Sequence, residues 1–180
     1  MKYFKDEIFE LLNMGGGSGY AEYDDAYNEY KKEFNKIRKK LPKAFLEAYE
    51  TIGFHDAIIP KVSISTAYQG FNRDEHGNRT SLELVILKYN SEMEDWHGWV
   101  IVLENIRDLT IAAESEGKSL TCIDRFHHDE LLPLMEGYLS WEINAIDADF
   151  KVEFKTLKIR TLNKLELNQY ENTIKPPYNK

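Results

Sequence analysis

An α+β fold, with N-terminal helices packed on a mainly antiparallel β-sheet, is what this sequence predicts. Three observations carry that expectation. Up to Gly53, apolar residues recur every three or four positions, the helical period. Beyond Gly53 they recur every second position, the strand period. The β-rich runs then follow one another across short turns, which favours antiparallel neighbours. The expected organisation is a single domain over 1–180. It has a helical part at 1–53, an antiparallel sheet part at 54–168, and a loose, polar, proline-containing tail at 169–180.

The helical part divides at glycine and proline. "KDEIFELLN" places Ile8, Leu11 and Leu12 on one face of a short helix. Gly15, Gly16 and Gly17 then stop it, and "GGGSG" reads as a flexible connector. "EYDDAYNEYKKEFNKIRKKL" carries Tyr23, Ala26, Tyr27, Tyr30, Phe34, Ile37 and Leu41 at helical spacing. That predicts a continuous helix over 23–41 with this stripe buried. Asp24 and Asp25 near its start, and the basic residues near its end, complement the helix dipole. "PKAFLEAYETIG" predicts another helix, with Pro42 in the first turn and Gly53 just past the end.

The sheet part begins where Val62, Ile64, Thr66 and Tyr68 alternate with Ser63, Ser65 and Ala67. Pro60 marks that strand as an edge or as irregular. "TSLELVILKY" and "GWVIVLENI" are apolar on both faces, the pattern of central strands covered on two sides. "YLSWEINAIDADFKVEF" predicts a hairpin in which Leu139, Trp141 and Ile143 share a face with Phe150, Val152 and Phe154. "LKIRTLNKLELNQ" predicts one or two further short strands.

A hydrophobic fraction of 42% and an aromatic fraction of 13% can build a sizeable core and argue against disorder. With 23 basic and 31 acidic residues, the net charge is -8. Such a chain is repelled by phosphate backbones and anionic lipid, whereas a basic protein partner suits it. Lys31, Lys32, Lys36, Arg38, Lys39, Lys40 and Lys43 form a basic run on the polar face of a helix. They read as a solvated face, or one paired with acid elsewhere. No nucleic-acid binding is expected at physiological salt. Filter binding that weakens steeply with added salt would contradict this. The single cysteine, Cys122, excludes an intramolecular disulfide and suits a reducing compartment. Asp6, Glu7 and Glu10 interrupt any apolar leader, and no run of apolar residues is long enough to span a bilayer. A cytoplasmic protein away from membranes is expected.

Several chemistries lack their signatures. "GGGSG" has neither a preceding strand nor a closing lysine, so it does not read as a phosphate loop. Cys122 lies in the strand-like "LTCIDRF" and reads as a small packed hydrophobe, and no serine sits in a G-x-S-x-G elbow. The histidines are His55, His76, His97, His127 and His128, without the helical pair or cysteine pairs of strong zinc sites. "HHDE" at 127–130 is dense in ligand types, but neighbours on a strand face opposite ways. The candidate metal set is therefore His55, Asp56, His127 and His128, brought together only by the fold. No cofactor is expected. His55 and Asp56 also lie between a helix stop and a strand, where Asp can bind turn amides and His can anchor a loop. That joint is the preferred reading, with His55→Ala costing stability before any activity.

The opening Met1 to Phe4, the joint Phe54 to Ala57, Trp141 to Ile143, and Phe150 to Phe154 occur in this order. Their layout resembles an uncharacterised family of bacterial proteins built on a domain of unknown function, across most of the chain. The resemblance implies no activity and no functional residue. In fold style and charge the chain is also similar to small immunity proteins that neutralise bacterial toxins. The leading expectation is a non-enzymatic protein-binding module of immunity type with a basic partner. The alternative is a metal-dependent enzyme using His55, Asp56 and the His127-His128 segment.

Overall fold

The computed structural model describes residues 1–5, 7–8, 17–67, 79–113, 126–146 and 148–171. Most of the predicted first helix, Tyr68, His76, Cys122 and the tail beyond 171 lie outside the described residues. Helix α1 spans Gly17–Arg38. It starts earlier than predicted, taking in Gly17, Ser18 and Gly19 of the glycine run, so Asp24 and Asp25 fall outside its first turn, and it ends at Arg38, so that Leu41 lies in the turn beyond it. Lys36 and Arg38 do occupy the last turn, where cations favour the dipole. Tyr30, Phe34 and Ile37 are buried, whereas Tyr27 is 45% exposed. The basic run lies on the solvent side. Lys32 and Lys36 pair with Glu29 and Glu33 one turn earlier, and Arg38 reaches across to Glu50.

Helix α2 covers Lys43–Glu47 and widens into a π-helical turn over Ala48–Ile52. Pro42 flanks its start, and Gly53 ends it at φ 69°, a left-handed value that favours glycine. The half-buried Lys88 ammonium donates to the Ile52 carbonyl at 3.0 Å, meeting one acceptor freed at the helix end.

Among the described residues, eight strands follow. They are β1 (Ile58–Ala67), β2 (Arg79–Asn90), β3 (Asp95–Glu104), β4 (Asp108–Ala113), β5 (Phe126–Pro133), β6 (Leu139–Ala145), β7 (Ala148–Phe154) and β8 (Thr156–Thr161). They divide into two antiparallel four-stranded sheets, ordered β1-β2-β3-β8 and β4-β7-β6-β5. Pro60 falls in a bulge on the edge strand β1, where its missing N–H breaks no ladder. The predicted hairpin is β6–β7, with Leu139 opposite Phe154, Trp141 opposite Val152 and Ile143 opposite Phe150.

Both sheets and the helices share one core. Leu84, Ile86 and Ile101 from the first sheet meet Trp141, Phe150 and Val152 from the second, with Phe34, Ile37 and Phe45 from the helices. Val85, Leu87 and Val100 face the other way, as the doubly apolar strands required, and form a second cluster with Ile58 and Leu162. Its lid is helix α3, Lys164–Glu171, which brings Leu167 and Tyr170. Of the one or two strands expected in this run, β8 is one; the residues after it form this helix, which also takes in 169–171 of the expected loose tail. Its start is a capping box: the Asn163 side chain accepts the Leu165 and Glu166 amides, and Glu166 accepts the Asn163 amide. Gly98 sits beneath it, where an added Cβ would lie 2.6 Å from Leu167. Among the described residues, no helix is long and apolar enough to cross a membrane.

Candidate functional site

Helix α1, the end of α2 and edge strand β5 enclose a cleft of about 630 Å³. Phe4, Tyr23, Tyr27, Tyr30, Phe34, Tyr49 and Phe54 supply its aromatic walls, and Lys31, Arg38, Glu50, His55, His127 and His128 line its rim. The spacing that buries one face of α1 also creates this wall. Tyr30 and Phe34 point into the core, and Tyr23 and Tyr27 continue the same stripe outward. Phe4 closes one end, edge-on to Tyr30 with ring centres 5.2 Å apart.

A hydrogen-bonded chain lies at the base. The Leu131 amide on β5 donates to the Tyr30 hydroxyl at 3.2 Å. The Tyr30 and Tyr49 hydroxyls are 2.8 Å apart, and Tyr49 bonds to the Asp129 carboxylate. The Trp141 indole N–H donates to the same carboxylate at 2.7 Å. With the Leu131 proton pointing at Tyr30, the arrangement that satisfies every group runs each phenol proton towards Asp129. Burial raises the pKa of both phenols well above the ordinary tyrosine value. Burial likewise pushes the Asp129 carboxyl up to about 6, against the opposing pull of its Trp141 and Tyr49 donors.

Asp129 makes folding stability depend on pH with a definite sign. Its folded pKa lies above the unfolded value, so between about pH 4 and 6 the folded state holds a proton that the unfolded chain has released. Stability therefore falls as pH rises through that window, by about 1–3 kcal/mol. An Asp129→Asn variant loses this dependence. Denaturant melts of both proteins at pH 4.5 and pH 7.5 should show the variant gaining on wild type at the higher pH. A constant difference would contradict the assignment.

The structure brings His55, His127 and His128 to one rim. Ring centres of His55 and His128 are 5.9 Å apart, and those of His127 and His128 are 6.1 Å apart. Strand alternation alone separates adjacent histidines. Here a bulge between Phe126 and His128 sets two residues of β5 against one of β6, and both rings reach the cleft. Asp56 turns to His55 instead, accepting from or facing its Nδ1 at 2.8 Å. Among the described residues, no three His, Cys, Asp or Glu side chains converge as a metal-binding group.

The joint reading of His55-Asp56 needs one correction. The backbone does the joining: the Asp56 amide donates to the Phe126 carbonyl, and the Phe126 amide donates to the Ala57 carbonyl. Asp56 takes φ 63°, a left-handed value that Asp tolerates well. The His55 and Asp56 side chains are 62% and 60% exposed, so no buried side-chain bond is at stake. His55→Ala should therefore change stability by less than about 0.5 kcal/mol. A loss of several degrees in the melting temperature would restore the anchoring role.

Sequence reasoning did not single out Tyr30, Tyr49 or Asp129 as a unit. Tyr30 and Tyr49 stand 19 residues apart on different helices, and neither has a local signal for meeting the other. No family model matches the chain, and neither the curated proteins nor the solved structures offer a match.

Proposed function

We propose that this chain is a non-enzymatic binding module for another protein, and that the aromatic cleft beneath α1 is its recognition surface. One observation supports it above the rest. The tyrosine stripe of α1 runs from buried Tyr30 to Tyr27, 45% exposed, along one open wall of the cleft, and Tyr20, 63% exposed, lies two turns further towards the start of the same helix. Tyrosine offers large, rigid contact area with a polar tip, and it is enriched where proteins bind partners. Several of the site's ionisable groups are engaged: Arg38 with Glu50, His55 with Asp56, and Asp129 with Tyr49 and Trp141. That favours a site built to hold rather than to react. An acidic chain of net charge -8 suits a basic partner, as an immunity-type inhibitor of a toxin would require.

The test replaces Tyr20 and Tyr27 together by serine. Both are exposed, so the melting temperature should hold while partner binding falls at least about tenfold. Site-specific photo-cross-linking from position 27 identifies the partner. Binding unaffected by the double substitution would move the surface elsewhere.

A second reading is the metal-dependent enzyme using His55, Asp56, His127 and His128. The gathering of three histidine rings at one rim is what favours it. Stoichiometric zinc, manganese or iron in purified protein, lost in a variant with all three histidines replaced by alanine, would support this reading over the first.

A further inference from the structure

Resting on the binding reading above, we infer that the cleft takes a cation: the guanidinium or ammonium end of an Arg or Lys side chain on a basic protein partner, with Asp129 as its counter-charge. The base of the cleft is short of positive charge. Asp129 receives two hydrogen bonds, both from neutral groups, the Trp141 indole and the Tyr49 phenol. Other carboxylates of the fold have cations against them: Glu50 has Arg38, Glu153 has Arg107, and Glu142 has Lys151. Among the described residues, no such ion pair reaches Asp129. The titratable groups facing it are Tyr30 from α1, Tyr49 from the end of α2, His55 from the joint and Glu130 beside it on β5. A half-buried carboxylate with neutral donors only is stabilised by an entering cation, because Coulomb attraction is less screened in the cleft than in open water.

The walls suit the same occupant. Aromatic faces carry the negative lobe of the ring quadrupole and attract guanidinium and ammonium groups. The protein already shows this at the rim, where the Lys31 ammonium lies 5.9 Å from the Tyr27 ring centre. Lys31 is also the principal opponent of an incoming cation. The other rim cation, Arg38, is held through two nitrogens by Glu50 at 2.6 and 2.7 Å, so its charge is matched.

The opposed charges of Asp129 and Lys31 give the test its direction. The full chain is titrated at low salt with acetyl-Gly-Arg-Gly-amide and with the same peptide carrying citrulline, which is isosteric but neutral. Trp141 fluorescence and tyrosine ring resonances report occupancy. The arginine peptide should bind at least about tenfold more tightly than the citrulline peptide. Asp129→Asn should remove most of that preference, and Lys31→Ala should strengthen arginine binding several-fold. Equal binding of the two peptides, or weaker arginine binding in Lys31→Ala, overturns the inference. Should Asp129→Asn fold poorly, the surface variant Lys31→Ala still decides, since its sign is opposite for a cationic and an anionic occupant. Failure of the binding reading is seen separately: the arginine peptide would bind as described while position 27 cross-links to no protein.

Discussion

Trp141→Ala should remove about 4–5 kcal/mol of stability, the largest loss expected from any single truncation in this chain. Trp141 is 0% exposed and lies where both sheets and the helices meet. Its ring stands edge-on to Phe45 at 5.8 Å and tilted against Phe54 at 6.0 Å and Phe126 at 6.5 Å. Truncation opens a cavity among rigid aromatic neighbours that cannot collapse into it. It also withdraws the indole N–H from Asp129. Domains of this size are stable by only about 5–15 kcal/mol, so the variant should be marginal or unfolded at 37 °C. Trp141→Phe separates the two contributions. It refills most of the volume but leaves the carboxylate one donor short, at about 1.5–3 kcal/mol. Since that donor holds the Asp129 pKa down, the Phe variant should also shift the pH dependence of stability to higher pH. Chemical denaturation of both variants at pH 5 and pH 7.5 measures all of this. An Ala variant within 1 kcal/mol of wild type, well below the usual cost of about 3–5 kcal/mol, would mean that Trp141 is not central to the core.

The same residue shows how far the sequence could be read. Trp141 lies in a run whose strict alternation announces a strand, a face and a hairpin partner, and β6–β7 has that register. Three-four spacing likewise placed the buried face of α1, and apolar residues on both sides of β2 and β3 anticipated two covered faces. These signals are local or span one short turn. Division into two sheets is not local. Alternation says which face a residue takes but not which strand it pairs with, so β4 beside β7 and β8 beside β3 could not be read off. Helix α3 was missed for a different reason. Asn163 and Glu166 form a recognisable capping box, but the eight residues that follow are too few for periodicity to outweigh the β-rich run before them. The cleft depended on the bulge at Phe126–His128, an extra residue that cancels the alternation used to separate His127 from His128. Asp129 was visible only as one acid among possible ligands. Its importance comes from Tyr49 and Trp141, supplied by distant parts of the chain.

Glu130 should give the second large effect, with Glu130→Ala costing about 3 kcal/mol. The residue is 0% exposed, which a carboxylate tolerates only when hydrogen-bonded throughout. Its oxygens accept the backbone amides of Lys2 at 2.8 Å, Tyr3 at 2.6 Å and Phe4 at 2.5 Å. Directly across the ladder stands Glu142, a like charge that would oppose it if bare. Glu142 is met by Lys151 at 2.7 Å and by the Met1 amine at 3.0 Å. Residues 1–4 therefore act as a clasp over two neighbouring carboxylates, and Phe4 is carried by that clasp into the wall of the cleft. Loss of the Glu130 carboxylate strands three amides at once. The segment can recover their hydration only by lifting away, which takes Phe4 off Tyr30. Two consequences should appear together in Glu130→Ala. Amide exchange at Tyr3 and Phe4 should accelerate towards the unprotected rate while β6 and β7 stay protected. Occupancy of the cleft should weaken because one wall is gone. Glu130→Gln should fall between the alanine variant and wild type, since its amide keeps one acceptor oxygen but turns an N–H towards N–H. Uniform loss of protection across β5 and β6 would instead make Glu130 a support of the sheet itself, and retained protection at Phe4 would show that the clasp does not depend on it.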